Sequence, residues 1–464
     1  MLRVGVDDLD EGYFVQQGAR VLHGQVPYVD FLTLYTPGLA YVHAGLFALL
    51  GGPSIVAARA LSLVARSGVA LLLFALTRPL VRNAWWAAAP GLLLVIGLDD
   101  APVRWEPHPG WLSTLFAVLA VWCVAQRPSN RWLLAAGAAA GLTYVFKQNT
   151  GVLVLAAIVA WCWYARKTAA VVSDHGRSGA VAVSDHRRFG AAARCLLPVL
   201  AFVAVTLVWL IPLVSRLGGD FGALGVLVGA VNEASLFSPP EPTILIPLGA
   251  IVGGAWLLRR DSHPHLRWYL LAGLALFATE FPRMDSLHLA WSAPLLLVVG
   301  AIALSRMAWP WATLALAASV VLVAPTWTGR LAYLAEPLAP VADLEAPTQT
   351  AADLNGLVAD IQRRTQPGEP IFVYPTSPLV YVLADRPNPT QLDHLNPGAA
   401  RPEQLDQVVD DLQRSHTRLI VVSDFWESVW GPPGANAMLE DWLAAHYSQV
   451  ARDGAYRILM ASGL

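Results

Sequence analysis

The sequence predicts an α-helical polytopic membrane protein with a small C-terminal extracytoplasmic α/β domain. Three observations carry this reading. Of 464 residues, 56% are hydrophobic and only 14% charged, with a mean hydropathy of +0.50; soluble domains average about 25% charged. From Pro37 to about Pro325, apolar runs alternate with short polar breaks. Beyond Pro325 the runs shorten, and helix and strand patterns alternate. The net charge of −2 argues against nucleic acid as a partner. Cys123, Cys162 and Cys195 are too scattered for a disulfide framework or a metal motif.

The chain begins without a signal peptide, because residues 1–9 hold no apolar core and no small-residue cleavage site. Residues 1–37 are assigned to an extracytoplasmic catalytic loop. Within it, Asp10-Glu11 opens a helix-like run to Leu22, which Gly24 and Pro27 break before Tyr28-Val29-Asp30-Phe31. Residues 38–326 form the multi-pass region, with segments expected near 38–50, 54–77, 84–98, 111–125, 132–146, 149–164, 195–214, 221–236, 242–258, 267–280, 287–304 and 309–325. A full span needs about 20 residues, so 38–50, 132–146 and 221–236 fall short, and roughly nine or ten true spans are expected.

Lys/Arg asymmetry orients these segments. Arg78, Arg82, Arg127, Arg131, the 165–194 loop, Arg259, Arg260, Arg267 and Arg306 mark the cytoplasmic side. The opening loop, Asp99-Asp100, Lys147 and the 280–288 stretch then face outward, as does everything after Pro325. An outward N-terminus with nothing to export it leads to the expectation of a further helix upstream. The 165–194 loop repeats AVVSDHG as VAVSDHR; a local duplication accounts for this better than metal ligation, since two His alone make no site.

Residues 342–464 are assigned to the α/β domain. Helices are expected at 350–364, 377–384, 402–414 and 436–446, with strands at Ile371–Tyr374, Leu419–Val422 and near 456–460. This part shows no Gly-rich phosphate loop and no nucleophile elbow.

The candidate chemistry lies on the outer side. Asp10 can act as a general base if it reaches an acceptor hydroxyl, with Glu11 beside it; alternatively Asp10 caps the helix and Glu11 suits its first turn. The ordered set DEGYFVQQGARVLHGQVPYVDFLTLYTP, continued by GLAYVHAGLFALLGG and AARALSL, resembles the first extracytoplasmic loop and next helix of GT-C superfamily glycosyltransferases. The similarity is to bacterial membrane enzymes related to glycosyltransferase family 39, both protein O-mannosyltransferase-like and aminoarabinose-transferase-like. PGEPIFVYPTSPLVYVLADRPNPT in the C-terminal part is also similar to a segment of such proteins. The resemblance implies a GT-C-like fold and a polyprenyl-phosphate sugar donor. It also implies inverting transfer to a glycan, lipid or protein acceptor on the extracytoplasmic face, with Asp10 as base. One departure stands out: aminoarabinose-transferase relatives carry Lys-Pro-Pro where this chain has Tyr35-Thr36-Pro37.

A polyprenyl phosphate gains negative charge as the sugar departs, and one preorganised donor at such a site is worth about 2.7–4 kcal/mol. Candidates to meet that charge are Lys147, Arg283, His288 and Arg59. Arg59 shares a helix face with Arg66, seven residues on, and the cost of a membrane charge calls for a partner or a cavity. Lys147 is otherwise a snorkelling interfacial lysine, and Arg283 otherwise pairs locally with Asp285. Tyr35, Asp99, Asp100, Arg104, Trp105 and Glu106 are candidates to orient acceptor or sugar. These acids lack a metal-specific spacing, so no required metal is expected, although a divalent ion is an open alternative. Lipid partners follow from the membrane reading, and the cell membrane is the expected location. The alternative reading is a transporter or flippase of envelope lipid-linked intermediates. That class places polar sites near the bilayer midplane in inverted repeats, and no such repeat is present.

Overall fold

The computed structural model describes residues 2–7, 9–97, 106–126, 129–175, 185–218, 241–260, 263–281, 283–395, 401–426 and 436–462. Its first helix, α1, runs Asp10–Leu22 and is followed by α2 (Gly38–Leu50), α3 (Ile55–Thr77), α4 (Ala84–Gly97), α5 (Pro109–Ala125), α6 (Asn130–Phe146), α7 (Gln148–His175) and α8 (Asp185–Leu217). Next come α9 (Leu245–Leu258), α10 (Pro264–Phe277), α11 (Ser286–Ser292), α12 (Pro294–Ser305) and α13 (Trp309–Ala335). Three helices among the described residues are long and apolar enough to cross a membrane, within Ile55–Leu80, Gln148–Arg166 and Arg194–Leu217. A fourth span results if α11 and α12, bent by 79°, are taken together. Gly38–Leu50, Ala84–Val95, Pro109–Ala125, Pro242–Leu258 and Trp309–Pro325 are apolar but shorter. The apolar segment at 221–236, the duplicated loop at its centre, Asp99, Asp100, Arg104 and Trp105 lie outside the described residues.

The ends of these helices follow from local residues. Ser54 caps α3, its side chain accepting from Ala57 N at 3.2 Å. Gly51 closes α2 with φ +82, the left-handed geometry that glycine adopts without a Cβ clash. His108 caps α5 with its ring, ahead of Pro109 at the first helical position. Pro294, which cannot continue the hydrogen-bond ladder of α11, marks the sharp bend into α12. The helical core joins α5 to α6, α6 to α8, α3 to α4 and α5, and α12 to α9 and α10.

After α13 the chain forms a hairpin of β1 (Leu338–Val341) and β2 (Leu344–Pro347), then α14 (Thr348–Arg364). A four-stranded sheet follows, from β3 (Ile371–Tyr374), β4 (Leu419–Ser423), β5 (Tyr447–Asp453) and β6 (Tyr456–Ala461), in the order β3-β4-β6-β5. Strands β3 and β4 are parallel and the other pairs antiparallel. Helices α15 (Leu379–Ala384) and α16 (Pro402–Arg414) and the helix Ala437–His446 complete this unit. Ile371, Val373, Leu419, Val421 and Ile458 fill one core, and Phe372, Tyr374, Ile420, Val422 and Leu459 fill the other. Strands β3, β4 and β6 thus feed both cores by alternation, while the edge strand β5 is mostly exposed.

Helix α1 lies between the two parts. Gly12 packs on the start of α15, where a Cβ would fall 2.8 Å from Leu379 Cα, and a Cβ on Gly18 would fall 2.5 Å from His43 Cβ on α2. Val15, Phe47, Ile55, Ala58, Leu344 and Leu379 form the joint. The N-terminal residues add a short bridge to β2, with Gly5 N donating to Glu345 O at 2.8 Å and Glu345 N to Arg3 O at 2.7 Å.

Candidate active site

The opening loop is folded by its own motif residues. Gly24 has φ +87 after α1, a turn in which glycine avoids strain. Asp30 Oδ2 then accepts from Val26 N at 2.7 Å, and the Arg20 guanidinium lies 4.7 Å over the Phe31 ring. Tyr28 OH donates to Tyr35 O at 2.5 Å, which fixes the return of the chain to Tyr35. From there Thr36 Oγ1 donates to Tyr144 O at 2.5 Å and Gln148 Nε2 to Leu34 O at 3.1 Å. This staples the loop to the break between α6 and α7, from which Lys147 projects.

Around Tyr35 lie charges from three stretches of the sequence. Lys147 Nζ sits 2.5 Å from Glu280 Oε1, with both side chains buried, and lies 5.9 Å over the Tyr35 ring and 5.1 Å over the Trp291 ring. Burial raises the Tyr35 phenol's pKa, and the charges of Asp10 and Glu280 push it further, while Arg283 pulls the other way. Asp10, Glu280 and Arg283 thus share one electrostatic neighbourhood. Arg283 Nε donates to Asp285 Oδ2 at 3.0 Å, and its side chain is 44% exposed. The guanidinium is therefore anchored through one nitrogen and open to a ligand through the others.

Asp285 also caps α11, accepting from His288 N at 3.1 Å and meeting His288 Nδ1 at 2.6 Å. Burial opposes ionisation of Asp285. The His288 ring and amide outweigh it, and with Arg283 they hold the carboxyl below the usual range. With Nδ1 engaged, His288 can offer only Nε2 to a ligand.

Trp291, Gly110 and Glu280, which sequence reasoning did not nominate, complete the setting together with His108. The His108 ring stacks on Trp291 at 3.8 Å and 5°. Its Nδ1 accepts from Gly110 N at 2.9 Å, so Nε2 carries the proton and faces Tyr35 OH at 3.3 Å. Gly110 makes room for this stack, because a Cβ there would lie 2.6 Å from the Trp291 ring. The third is Glu280. Its signal was a carboxylate closing an apolar run opposite a lone lysine, a pairing that burial of charge demands.

The ion pair that sequence reasoning gave as the alternative for Arg59 is present in the structure. Arg59 Nε and Nη2 clamp Glu11 at 2.6 Å each, and its remaining N–H groups go to Leu2 O, Val4 O and Gly5 O at 2.9, 3.1 and 2.8 Å. All five donors are spent, and Arg59 is 2% exposed. Glu11, 1% exposed, is that arginine's counter-ion and has neither carboxylate oxygen free of it. Nor does Asp10 cap α1: Leu9 occupies the cap position, and Asp10 is the first helical residue. Glu106 is buried, and its backbone carbonyl accepts from Ser62 Oγ at 3.1 Å. Arg66 lies 4.2 Å over the Trp111 ring. Among the described residues no group of three or more His, Cys, Asp or Glu side chains forms a metal-binding set.

A cleft of about 530 Å³ lies elsewhere, between Tyr28, Val29 and Leu32, Arg216 at the end of α8, and Arg401, Glu403 and Gln407 of the C-terminal unit. Of the expected site residues that the structure describes, none lines it.

The fold is similar to that of GT-C membrane glycosyltransferases of known structure. Residues 35–183 match the family model for dolichyl-phosphate-mannose-protein mannosyltransferase. The whole chain superposes on ArnT from Cupriavidus metallidurans bound to undecaprenyl phosphate, with TM-score 0.61 and 15% identity, covering 100% of this chain and 95% of that one. The oligosaccharyltransferase AglB from Archaeoglobus fulgidus, in complex with an inhibitory peptide and a dolichol-phosphate, gives TM-score 0.52 and 12% identity over 98% of this chain and 70% of that one. At such identities the likeness is one of fold. A comparison with curated proteins returns no match. The resemblance in the opening loop is thus joined by a sequence match that begins at Tyr35 and by a fold shared over the whole chain; neither favours the transporter reading.

Proposed function

We propose that the protein transfers a sugar from a polyprenyl-phosphate donor to an envelope glycan, lipid or protein on the extracytoplasmic face of the cell membrane. One observation carries the reading: Lys147 lies 5.9 Å over the Tyr35 ring, and the charges of Asp10 and Arg283, far apart in sequence, both act on the Tyr35 phenol. Asp10 takes the proton of the acceptor hydroxyl as that oxygen bonds to the sugar's C1. The C1–O bond to phosphate breaks with its electron pair left on the phosphate, so the sugar inverts and the phosphate passes from one negative charge to two. Lys147 and Arg283 meet the growing charge, and the Tyr35 and Trp291 rings flank the lysine. Negative charge moves from Asp10 to the leaving oxygens, so the site's total is unchanged through the step. The fold likeness to ArnT, whose solved form holds undecaprenyl phosphate, supports this choice of donor class. The long apolar helices support membrane placement.

The test is an Asp10→Asn variant in lipid nanodiscs. It is expected to bind undecaprenyl phosphate as the wild type does while transfer from a polyprenyl-phosphate sugar falls by about 10²–10⁴-fold, the usual share of a general base. Full transfer activity would remove Asp10 as the base.

A further inference from the structure

A site built to hold a phosphate carries an unexpected carboxylate. Glu280 meets Lys147 at 2.5 Å in a pair that is almost fully buried, 7% and 6% exposed on the two side chains. Thr279 Oγ1, which donates to Leu276 O at 2.7 Å, lies 3.3 Å from the same Glu280 oxygen, and the Thr279 carbonyl accepts from Asn149 Nδ2 at 2.7 Å. The residue is thus held from both sides of the α6–α7 break. The Tyr35 phenol registers the Glu280 charge alongside that of Asp10. The charged and titratable groups around the pair are Asp10 on α1, Tyr35 and His108 on their loops, and Arg283, Asp285 and His288 before and within α11. The pairing neutralises a buried lysine, and it also fixes a negative charge beside any anion that Lys147 meets.

We propose that Glu280 is a positioning and discriminating residue: it aims Lys147 at the ligand and selects the singly charged donor over the doubly charged product. This rests on the polyprenyl-phosphate reading above. The donor is a phosphodiester with one negative charge. The product is a phosphomonoester whose second pKa is about 6, so it carries close to two charges at neutral pH. Repulsion from Glu280 grows in proportion to the ligand's charge. It therefore weakens product about twice as much as donor on a logarithmic scale. Lys147 gives the attraction that both ligands share, and Glu280 subtracts more from the one that must leave.

The experiment measures binding of two lipids to the full chain in nanodiscs: undecaprenyl phosphate, and its methyl ester, a sugar-free diester with a single charge. In Glu280→Gln the amide still accepts from Lys147, so the lysine keeps its place without the repulsion. The monoester is expected to bind about tenfold tighter than to wild type and the diester about threefold tighter. Inhibition of turnover by undecaprenyl phosphate should deepen in parallel. Glu280→Asp keeps the charge and should keep the wild-type ratio of the two affinities. Equal shifts for both lipids in Glu280→Gln, or no shift, would overturn the assignment while leaving the donor class intact. Loss of both lipids in Glu280→Gln but not in Glu280→Asp would equally overturn it, leaving a purely structural pair. If wild-type protein binds neither lipid, the donor reading itself falls.

Discussion

Lys147 and Arg283 hold their charges differently, and their variants should differ accordingly. Arg283 is anchored by Asp285 and half-exposed. Arg283→Ala is expected to leave stability nearly unchanged and to weaken undecaprenyl phosphate binding at least tenfold in a titration; unchanged affinity would take Arg283 out of the site. The Lys147–Glu280 pair is buried, and removing one partner of such a pair costs about 3–5 kcal/mol because the other charge is stranded. Glu280→Ala should therefore lower thermal stability, and Glu280→Gln, which loses the charge but keeps a hydrogen-bond acceptor for Lys147, should lower it less. Arg59 makes a contrasting case. Arg59→Lys gives up the bidentate grip on Glu11 and most of the bonds to Leu2, Val4 and Gly5. It should destabilise the fold while the folded fraction binds lipid normally; a selective loss of lipid binding would contradict that role. Residue types at the site were legible in the sequence, as an acid pair, a lone outer lysine and an Arg-x-Asp-x-x-His run. Partners were not. Glu11 finds Arg59 across 48 positions and Lys147 finds Glu280 across 133, and no local pattern encodes such pairings.

Breaks between elements matter more here than the elements themselves. Lys147 emerges where α6 stops and α7 begins, and the Arg283–His288 run emerges where α10 gives way to α11. Polar side chains reach the centre because the helices end there. Sequence periodicity located most helices to within a few residues, including Gly38–Leu50 and Pro402–Arg414. It placed one helix at 287–304, where the structure has α11 and α12 at 79°, because hydropathy does not register the geometry of Pro294. It also missed β1, β2 and β5. The hairpin carries Pro340 and Pro347, and β5 is an edge strand with mostly polar, exposed residues, so none gives an apolar alternation. At this scale Gly12 is the test position. A side chain there meets the backbone of Leu379, and such overpacking costs about 1–3 kcal/mol. Gly12→Val should lower the melting temperature and reduce transfer through displacement of Asp10, two positions away. A variant as stable and active as wild type would mean that the α1–α15 contact is dispensable.

The whole molecule is arranged so that the C-terminal unit grips the helix that carries Asp10. Arg20 bonds Asp393 Oδ1 and Thr390 O at 2.8 Å each, and the Tyr13 ring stacks on His394 at 4.2 Å. His394 Nδ1 in turn meets Thr376 Oγ1 at 2.6 Å. Burial lowers the His394 pKa from 6.5 to about 4, against the pull of Asp393. A histidine with a depressed folded pKa takes up its proton more readily when unfolded. Stability is then fully present above about 6.5 and declines as pH falls toward about 4. The ring keeps some exposure, which shrinks the effect. Thermal unfolding followed from pH 7.5 to 4.5 should show a steeper loss for wild type than for His394→Asn; identical slopes would remove His394 as the source.

The most direct measurement is a structure of this chain with undecaprenyl phosphate in a lipid nanodisc. The account predicts phosphate oxygens within about 3 Å of Lys147 Nζ and the Arg283 guanidinium, with Asp10 facing the side from which an acceptor would enter. A phosphate seated instead in the cleft beside Arg216 and Arg401, with Lys147 still closed on Glu280 and distant from the lipid, would contradict it.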